Sequence, residues 1–271
     1  MKLEYIVDED EIIVKDYLEK QNISKRLAKK IKLYGKTYVN KIEVFNYFLL
    51  SKGDHLVVEF EDQDTSIYPP VNKELDIIYE DEYFMIVDKP ENLASLPTKS
   101  HFQDSLASRI KYYYQTKDIN AKVHLVNRLD YATSGLVIVA KDTYIKSRFK
   151  NLNIERKYLA VLDNDLEDEG IINLPISKKE NSLLREVNEK GKEAITIYKV
   201  IDKTRKLYEF TLVTGRTHQI RIHTSFYNAP IKGDKLYGKE SDRLYLTCYY
   251  LKFKHPILDE KMEFVSYPKW H

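Results

Sequence analysis

One cysteine, Cys248, stands alone in a chain of 271 residues. That excludes a disulfide framework and any multi-cysteine metal site. Nowhere do roughly 18 apolar residues follow one another, so no membrane-spanning helix is expected. The opening Met1-Lys2-Leu3-Glu4-Tyr5 soon meets Asp8-Glu9-Asp10-Glu11, which is not how a secretory signal reads. The expectation is a soluble protein of a reducing, cytoplasmic compartment. An excess of either charge is also missing: 44 Lys and Arg stand against 42 Asp and Glu, a net +2. An acidic disordered chain and a histone-like polycation are both excluded. Glycine is scarce, eight in all. Each one costs backbone entropy and marks a place where geometry needs it. Four of them, Gly135, Gly215, Gly233 and Gly238, fall in the segments 130–140 and 215–238, where chemistry is sought first.

Apolar residues make up 43% of the chain, with 22 Tyr and 10 Phe, enough to fill the core of one large or two unequal domains. The polar stretch around Asp64-Thr65-Ser66 ends in Pro69-Pro70 and has neither helical nor strand periodicity. It divides the chain into an N-terminal unit, 1–62, a linker, 63–73, and a larger unit, 74–271. The small unit hides a charge asymmetry. Residues 1–19 carry seven acids and two lysines, whereas residues 20–41 carry eight bases and no acid. Ser24 is an N-cap for a helix starting at Lys25, and Gly35 follows it as a C′ residue. Ile23, Leu27, Ala28 and Ile31 fall on one side of that helix. Lys25, Arg26, Lys29, Lys30 and Lys32 fall on the other. Such a face is either solvated or matched by an anionic partner such as nucleic acid. A membrane surface fits less well, because the apolar side has no Trp or Phe to insert.

In the larger unit, Leu75–Val87 reads as two strands around an acidic turn, and Asp104–Tyr114 as a helix burying Leu106, Ile110 and Tyr113. Leu136–Ala140 is a buried strand, Lys157–Leu162 and Ala194–Val200 are further strands, and Gly170 and Gly191 are turn residues. The pattern is α+β with a sizeable mixed sheet. Two tempting sites fail on spacing. His218 and His223 are five apart, on opposite faces of a strand and far apart on a helix, with no carboxylate close by, so metal ligation is rejected. Gly233-x4-Gly238-Lys239 is followed by Glu240 where a phosphate loop needs Ser or Thr. Asp130, in the loop before the buried strand, reads as nucleophile, general base or Arg-paired structural residue, and on the residue alone the structural reading wins, since most loop Asp residues cap or hydrogen-bond locally.

Taken together, these segments are more specific than their pieces. Arg128-Leu129-Asp130-x-x-Thr133-Ser134-Gly135 resembles the central motif of the RluA/RluD-type pseudouridine synthases. Arg156-Lys157-Tyr158 resembles their second, and Thr214-Gly215-Arg216-Thr217-His218-Gln219-Ile220-Arg221 with Gly233-Asp234-x-x-Tyr237-Gly238 their third. Ile78-Tyr79-Glu80-Asp81 with Asp88-Lys89-Pro90 resembles the opening motif, and Leu251-Lys252-Phe253-x-His255-Pro256 the closing one. Residues 12–60 resemble an alpha-L RNA-binding motif.

The resemblance implies a large mixed, mainly antiparallel sheet flanked by helices and loops, behind a small RNA-binding domain. It implies a cofactor-free isomerase that converts uridines of structured RNA, large-subunit rRNA or tRNA, to pseudouridine; nothing in the sequence demands a dimer, so a monomer with no metal is expected. The bond from the sugar to uracil nitrogen-1 is cut, the base turns, and it is rejoined through carbon-5. Asp130 is then the catalytic carboxylate, attacking sugar or base, with Arg216 paired to it. Tyr158 stacks on the base and assists proton removal, Ile220 packs against the uracil, and Arg128 fills the hole left by the flipped nucleotide. The sequence departs from the family pattern in three places. Asn127 stands where many members have His, Leu246-Thr247-Cys248 where Leu-His-Ala is common, and Pro97 further along its loop. Cys248 reads as a small core residue.

Overall fold

The computed structural model describes residues 2–270 apart from 22, 62, 63, 120, 181 and 183, with only the backbone of Arg26. The expected boundary at 62 and 63, and the Arg26 side chain in the basic face, therefore lie outside the described residues.

The first elements are β1 (Lys2–Ile6), β2 (Ile12–Ile13), α1 (Val14–Lys20) and α2 (Lys25–Tyr34). They are followed by β3 (Lys36–Val39), β4 (Ile42–Val44), β5 (Leu49–Leu50) and β6 (His55–Glu59). Strands β1-β6-β3-β4 form an antiparallel sheet, and β2 pairs with β5. Asn40 and Lys41 turn β3 into β4 with φ of 49° and 72°, the paired left-handed residues of a tight hairpin. Helix α2 starts where the sequence predicts, because the Ser24 hydroxyl accepts from the Leu27 amide at 3.3 Å. Ile23, Leu27 and Ile31 are buried beneath it in a core of their own. Gly35 ends the helix, but with an extended backbone at φ −102°, not the left-handed one of a C′ glycine. Its reason is space: a Cβ there would lie 2.7 Å from the Glu59 carbonyl oxygen.

The longer part contains β7 (Asp76–Glu80), β8 (Phe84–Lys89), α3 (Leu106–Thr116), β9 (His124–Leu125) and β10 (Ser134–Ala140). Then come α4 (Thr143–Phe149), β11 (Glu155–Val161), β12 (Glu169–Asn173), β13 (Ile176–Lys178) and β14 (Arg185–Val187). The last are β15 (Ile195–Asp202), β16 (Leu207–Leu212), α5 (Gln219–Phe226), β17 (Leu246–Lys254) and β18 (Lys261–Val265). Ten strands share one sheet, with β12-β15-β16-β11-β17-β10-β8-β7 as its path and β9 and β18 at its sides. Only the β10–β17 pairing is parallel, so the sheet is mixed and mainly antiparallel, and the α+β expectation holds. Leu136 to Ala140 are fully buried, as an unbroken apolar run requires when both faces of a strand are covered. Residues of α3, α4 and α5 share that core.

Three local expectations change. Tyr114, not Tyr113, is the buried tyrosine of α3; the Tyr113 hydroxyl donates instead to Glu80 at 2.6 Å. Gly170 is not in a turn but inside β12, where a Cβ would meet the Tyr198 hydroxyl at 2.7 Å. The segment after residue 63 has no helix or strand, yet it is fastened to α3. Lys111 reaches the Asp64 carboxylate at 2.9 Å and the Ser66 and Tyr68 carbonyls at 3.0 and 3.1 Å. Among the described residues no helix is long and apolar enough to cross a membrane.

Candidate active site

A cleft of about 1670 Å³ opens between α2 and the central strands β16, β11 and β17 of the large sheet. Asp130, Tyr158, Arg216, Arg128 and Ile220 all line it, so the residues singled out by sequence meet in one place. Among the described lining residues are ten lysines and arginines but only two carboxylates, Glu61 and Asp130. The near-neutral average of the chain conceals this concentration.

Asp130 sits on a loop pinned from several sides. The Ser95 hydroxyl donates to the Leu129 carbonyl at 2.6 Å and accepts from the Leu129 amide at 3.1 Å. Asn127 donates to the Leu136 carbonyl and accepts from the Ile138 amide, at 3.1 and 2.8 Å. The departure from the family's His is thus a buried clamp of the loop onto β10. Behind the loop, the fully buried Lys89 ammonium donates to the Pro90, Leu93 and Tyr131 carbonyls at 2.9, 2.8 and 3.4 Å. Burial pushes the Lys89 amine down to about 7, against the pull of Asp130. Gly135 follows with φ +112°, and a Cβ on it would be 2.2 Å from the Cys248 carbonyl oxygen. Cys248 is fully buried between Gly135 and Tyr158, and burial pushes its thiol up to about 12.

Tyr158 on β11 is buried, and burial, then the neighbouring Cys248, pushes its phenol well above the usual tyrosine range. It stays neutral. Ile220, in the first turn of α5, is buried while lining the cleft. The Gln219 side chain explains the motif around it. Its oxygen accepts from Thr214 Oγ1 and the Arg216 amide, both at 2.9 Å, and its nitrogen donates to Ile195 O and Thr196 Oγ1, both at 3.0 Å.

The expected Arg216–Asp130 pair is not formed. Arg216 Nε donates to the Glu193 carbonyl at 2.8 Å. The basic groups facing Asp130 are Arg221, with Nη1 at 3.7 Å, and His218, with Nε2 at 3.9 Å. Arg221 makes a two-pronged bond to the buried Asp234, at 2.7 and 2.6 Å. His218 caps α5 in the left-handed region, at φ 57°. Its Nδ1 is 2.9 Å from the Tyr237 hydroxyl, whose oxygen accepts from the Arg185 amide at 3.0 Å. The other ring nitrogen, Nε2, faces Asp130. Burial holds the His218 pKa below its usual value, although Asp130 opposes this. His223 points elsewhere, to Thr196 Oγ1 at 2.9 Å and the Leu174 carbonyl at 3.0 Å. Arg221, Asp234, His218 and Tyr237 all lay within recognised motifs, but nothing in their spacing paired them.

Of the basic residues expected on α2, Lys29 and Lys30 line the cleft. Lys25 and Lys32 are exposed outside it, with Lys32 over the Tyr47 ring at 5.8 Å.

Comparison with known proteins agrees. The family model described as RNA pseudouridylate synthase matches residues 83–226. The chain belongs to this family, the RluA/RluD-type RNA pseudouridine synthases, and is therefore an isomerase acting on RNA. It is 37% identical, over 93% of both chains, to the uncharacterized RNA pseudouridine synthase YjbO of Bacillus subtilis. It is 34% identical to the dual-specificity RNA pseudouridine synthase RluA of Pasteurella multocida, over 75% of this chain and 97% of that one. The solved human RNA pseudouridylate synthase domain containing 1 shares the fold, with a TM-score of 0.61 and 21% identity, over 76% of this chain and 88% of that one.

Proposed function

We propose that Asp130 is the catalytic carboxylate and that the cleft isomerises a uridine of structured RNA, most simply large-subunit rRNA or tRNA. The observation that carries this is the juxtaposition of Asp130, Tyr158 and Ile220 in a cleft whose other ionisable walls are almost all basic. A stacked uridine hides its sugar–base bond, so the nucleotide is flipped into the cleft, with Arg128 at the vacated position. The ionised Asp130 attacks and the bond to nitrogen-1 breaks. The freed uracil turns between Tyr158 and Ile220, carbon-5 bonds the sugar as the Asp130 carboxylate is released, and the proton lost from carbon-5 is balanced by one taken up at nitrogen-1. A phenol held neutral by burial suits Tyr158 to packing against the base more than to taking that proton. The unit before residue 62, through Lys25, Arg26, Lys29, Lys30 and Lys32, grips phosphates.

The test is to treat total RNA from a deletion strain with the protein and map pseudouridines. Wild type restores specific sites and Asp130→Asn restores none. Equal restoration by Asp130→Asn would remove the assignment.

A further inference from the structure

We infer that Arg185, on the β13–β14 hairpin, grips a phosphodiester of the RNA strand that enters the cleft. The inference rests on the reading of the cleft as an RNA site. Arg185 lines the cleft, and its Nε is buried with no hydrogen-bond partner. A buried donor left without an acceptor destabilises a fold, so such a nitrogen at the wall of a cleft marks a place kept for a ligand. The carboxylates around neighbouring His218, Asp130 and Asp234, face Arg221 instead. The charge on Arg185 is therefore left for an anion from outside.

The fold aims this side chain. The hairpin register pairs Ile176 with Val187 and Lys178 with Arg185. Alternation along β14 puts Val187 and Arg185 on one face. Val187 and Tyr237 pack against the buried cluster of Ile176, Ala194 and Ile222, which turns that face toward α5. The Arg185 amide donates to the Tyr237 hydroxyl at 3.0 Å, so its backbone is fixed as well. The same hydroxyl lies 2.9 Å from His218 Nδ1. Burial first, then Arg221 and Arg185, hold the His218 pKa below its usual value, against Asp130 and Asp234. Basic groups thus crowd one space. Lys178 adds to them from directly across the hairpin, where like charges repel and a bound anion relieves the repulsion. The guanidinium fork matches two oxygens of one phosphodiester. A uracil carbonyl would take one N–H and leave the charge unmet.

The experiment uses an RNA hairpin carrying a uridine mapped by the assay above. It measures affinity against salt, single-turnover rate at saturating RNA, and urea unfolding. Arg185→Met weakens binding about 10-fold and flattens the plot of log affinity against log salt by about 0.7, one phosphate contact to a single strand. The rate at saturating RNA stays within about 3-fold of wild type. The urea midpoint does not fall, because the substitution leaves no partner unsatisfied. Arg185→Lys keeps the charge without the fork, so it keeps the slope and recovers part of the affinity. A methylphosphonate beside the uridine removes one phosphate charge. At the gripped position it weakens wild type about as much as Arg185→Met does, and the two losses do not add. Unchanged affinity in Arg185→Met overturns the inference. So does a loss with an unchanged salt slope, which marks a base contact, or a lowered urea midpoint, which marks a structural arginine. Methylphosphonate losses that add in full to the variant's at both flanking phosphates overturn it too. Wild type that binds RNA but forms no pseudouridine counts against the proposed function, and the salt slopes on the RNA it binds still judge Arg185.

Discussion

The wall of the cleft that carries Asp130 and the wall formed by α2 differ in how far their side chains are already committed. On the first, Ser95, Asn127, Lys89 and Gln219 each hold backbone groups, and Arg221 is bound to Asp234. On the second, Lys29 is exposed, and Ile23, Leu27 and Ile31 bury the apolar underside of the helix. Bond exchange needs reacting atoms held to a fraction of an ångström, so one wall is rigid before substrate arrives. Phosphate contacts gain from counterion release whatever the rotamer, so the other wall can stay loose.

The largest effect expected from breaking this contrast is at Gly135. Gly135→Ala sets a methyl against the Cys248 carbonyl at a φ of +112°. It costs about 3 kcal/mol or more by urea denaturation, since strain and overlap add. An unchanged unfolding midpoint would mean that the catalytic wall yields after all. Next comes the loose wall. Lys29→Ala with Lys30→Ala weakens RNA binding about 10-fold at low salt and flattens the salt dependence by roughly 0.7–0.9 per lost phosphate contact. The rate at saturating RNA is retained. An equal fall in that rate would place α2 in the rigid frame.

A third effect, read against pH, sharpens the rigid side. Folding pushes the Lys89 amine down to about 7, whereas an unfolded lysine titrates near ~10.4. Between those values the unfolded chain binds more protons, so the Lys89 contribution to stability rises with pH through that window. Below it, both states are protonated and the full burial cost remains. Unfolding free energies measured across the window increase more steeply for wild type than for Lys89→Met. Parallel curves would mean that the three carbonyls keep the folded amine charged.

Much of the local structure was legible in the sequence. Ser24 caps α2 and its apolar side is buried. The run Leu136–Ala140 is a core strand, and the five motif residues share one cleft. These follow from periodicity, caps and ordered motifs, which act over a few residues. Less legible were the reasons for particular residues. Gly35 and Gly170 answer close approaches by Glu59 and Tyr198, not turns. Asn127 departs from the family's His, and its role as a clamp on β10 shows only in the fold.

By itself, then, the sequence determined the elements, the family and the residues brought to the cleft, because each rests on short-range pattern. Tertiary structure alone decided which of those residues touch. Asp81 of the opening motif meets His255 of the closing one at 3.0 Å, across 174 residues of chain. Arg221, not Arg216, faces Asp130, and Asp234, 13 residues further on, holds it there. Such pairings depend on how the sheet, α5 and the 233–238 loop pack, and a charge carries no mark in sequence of the partner it will find.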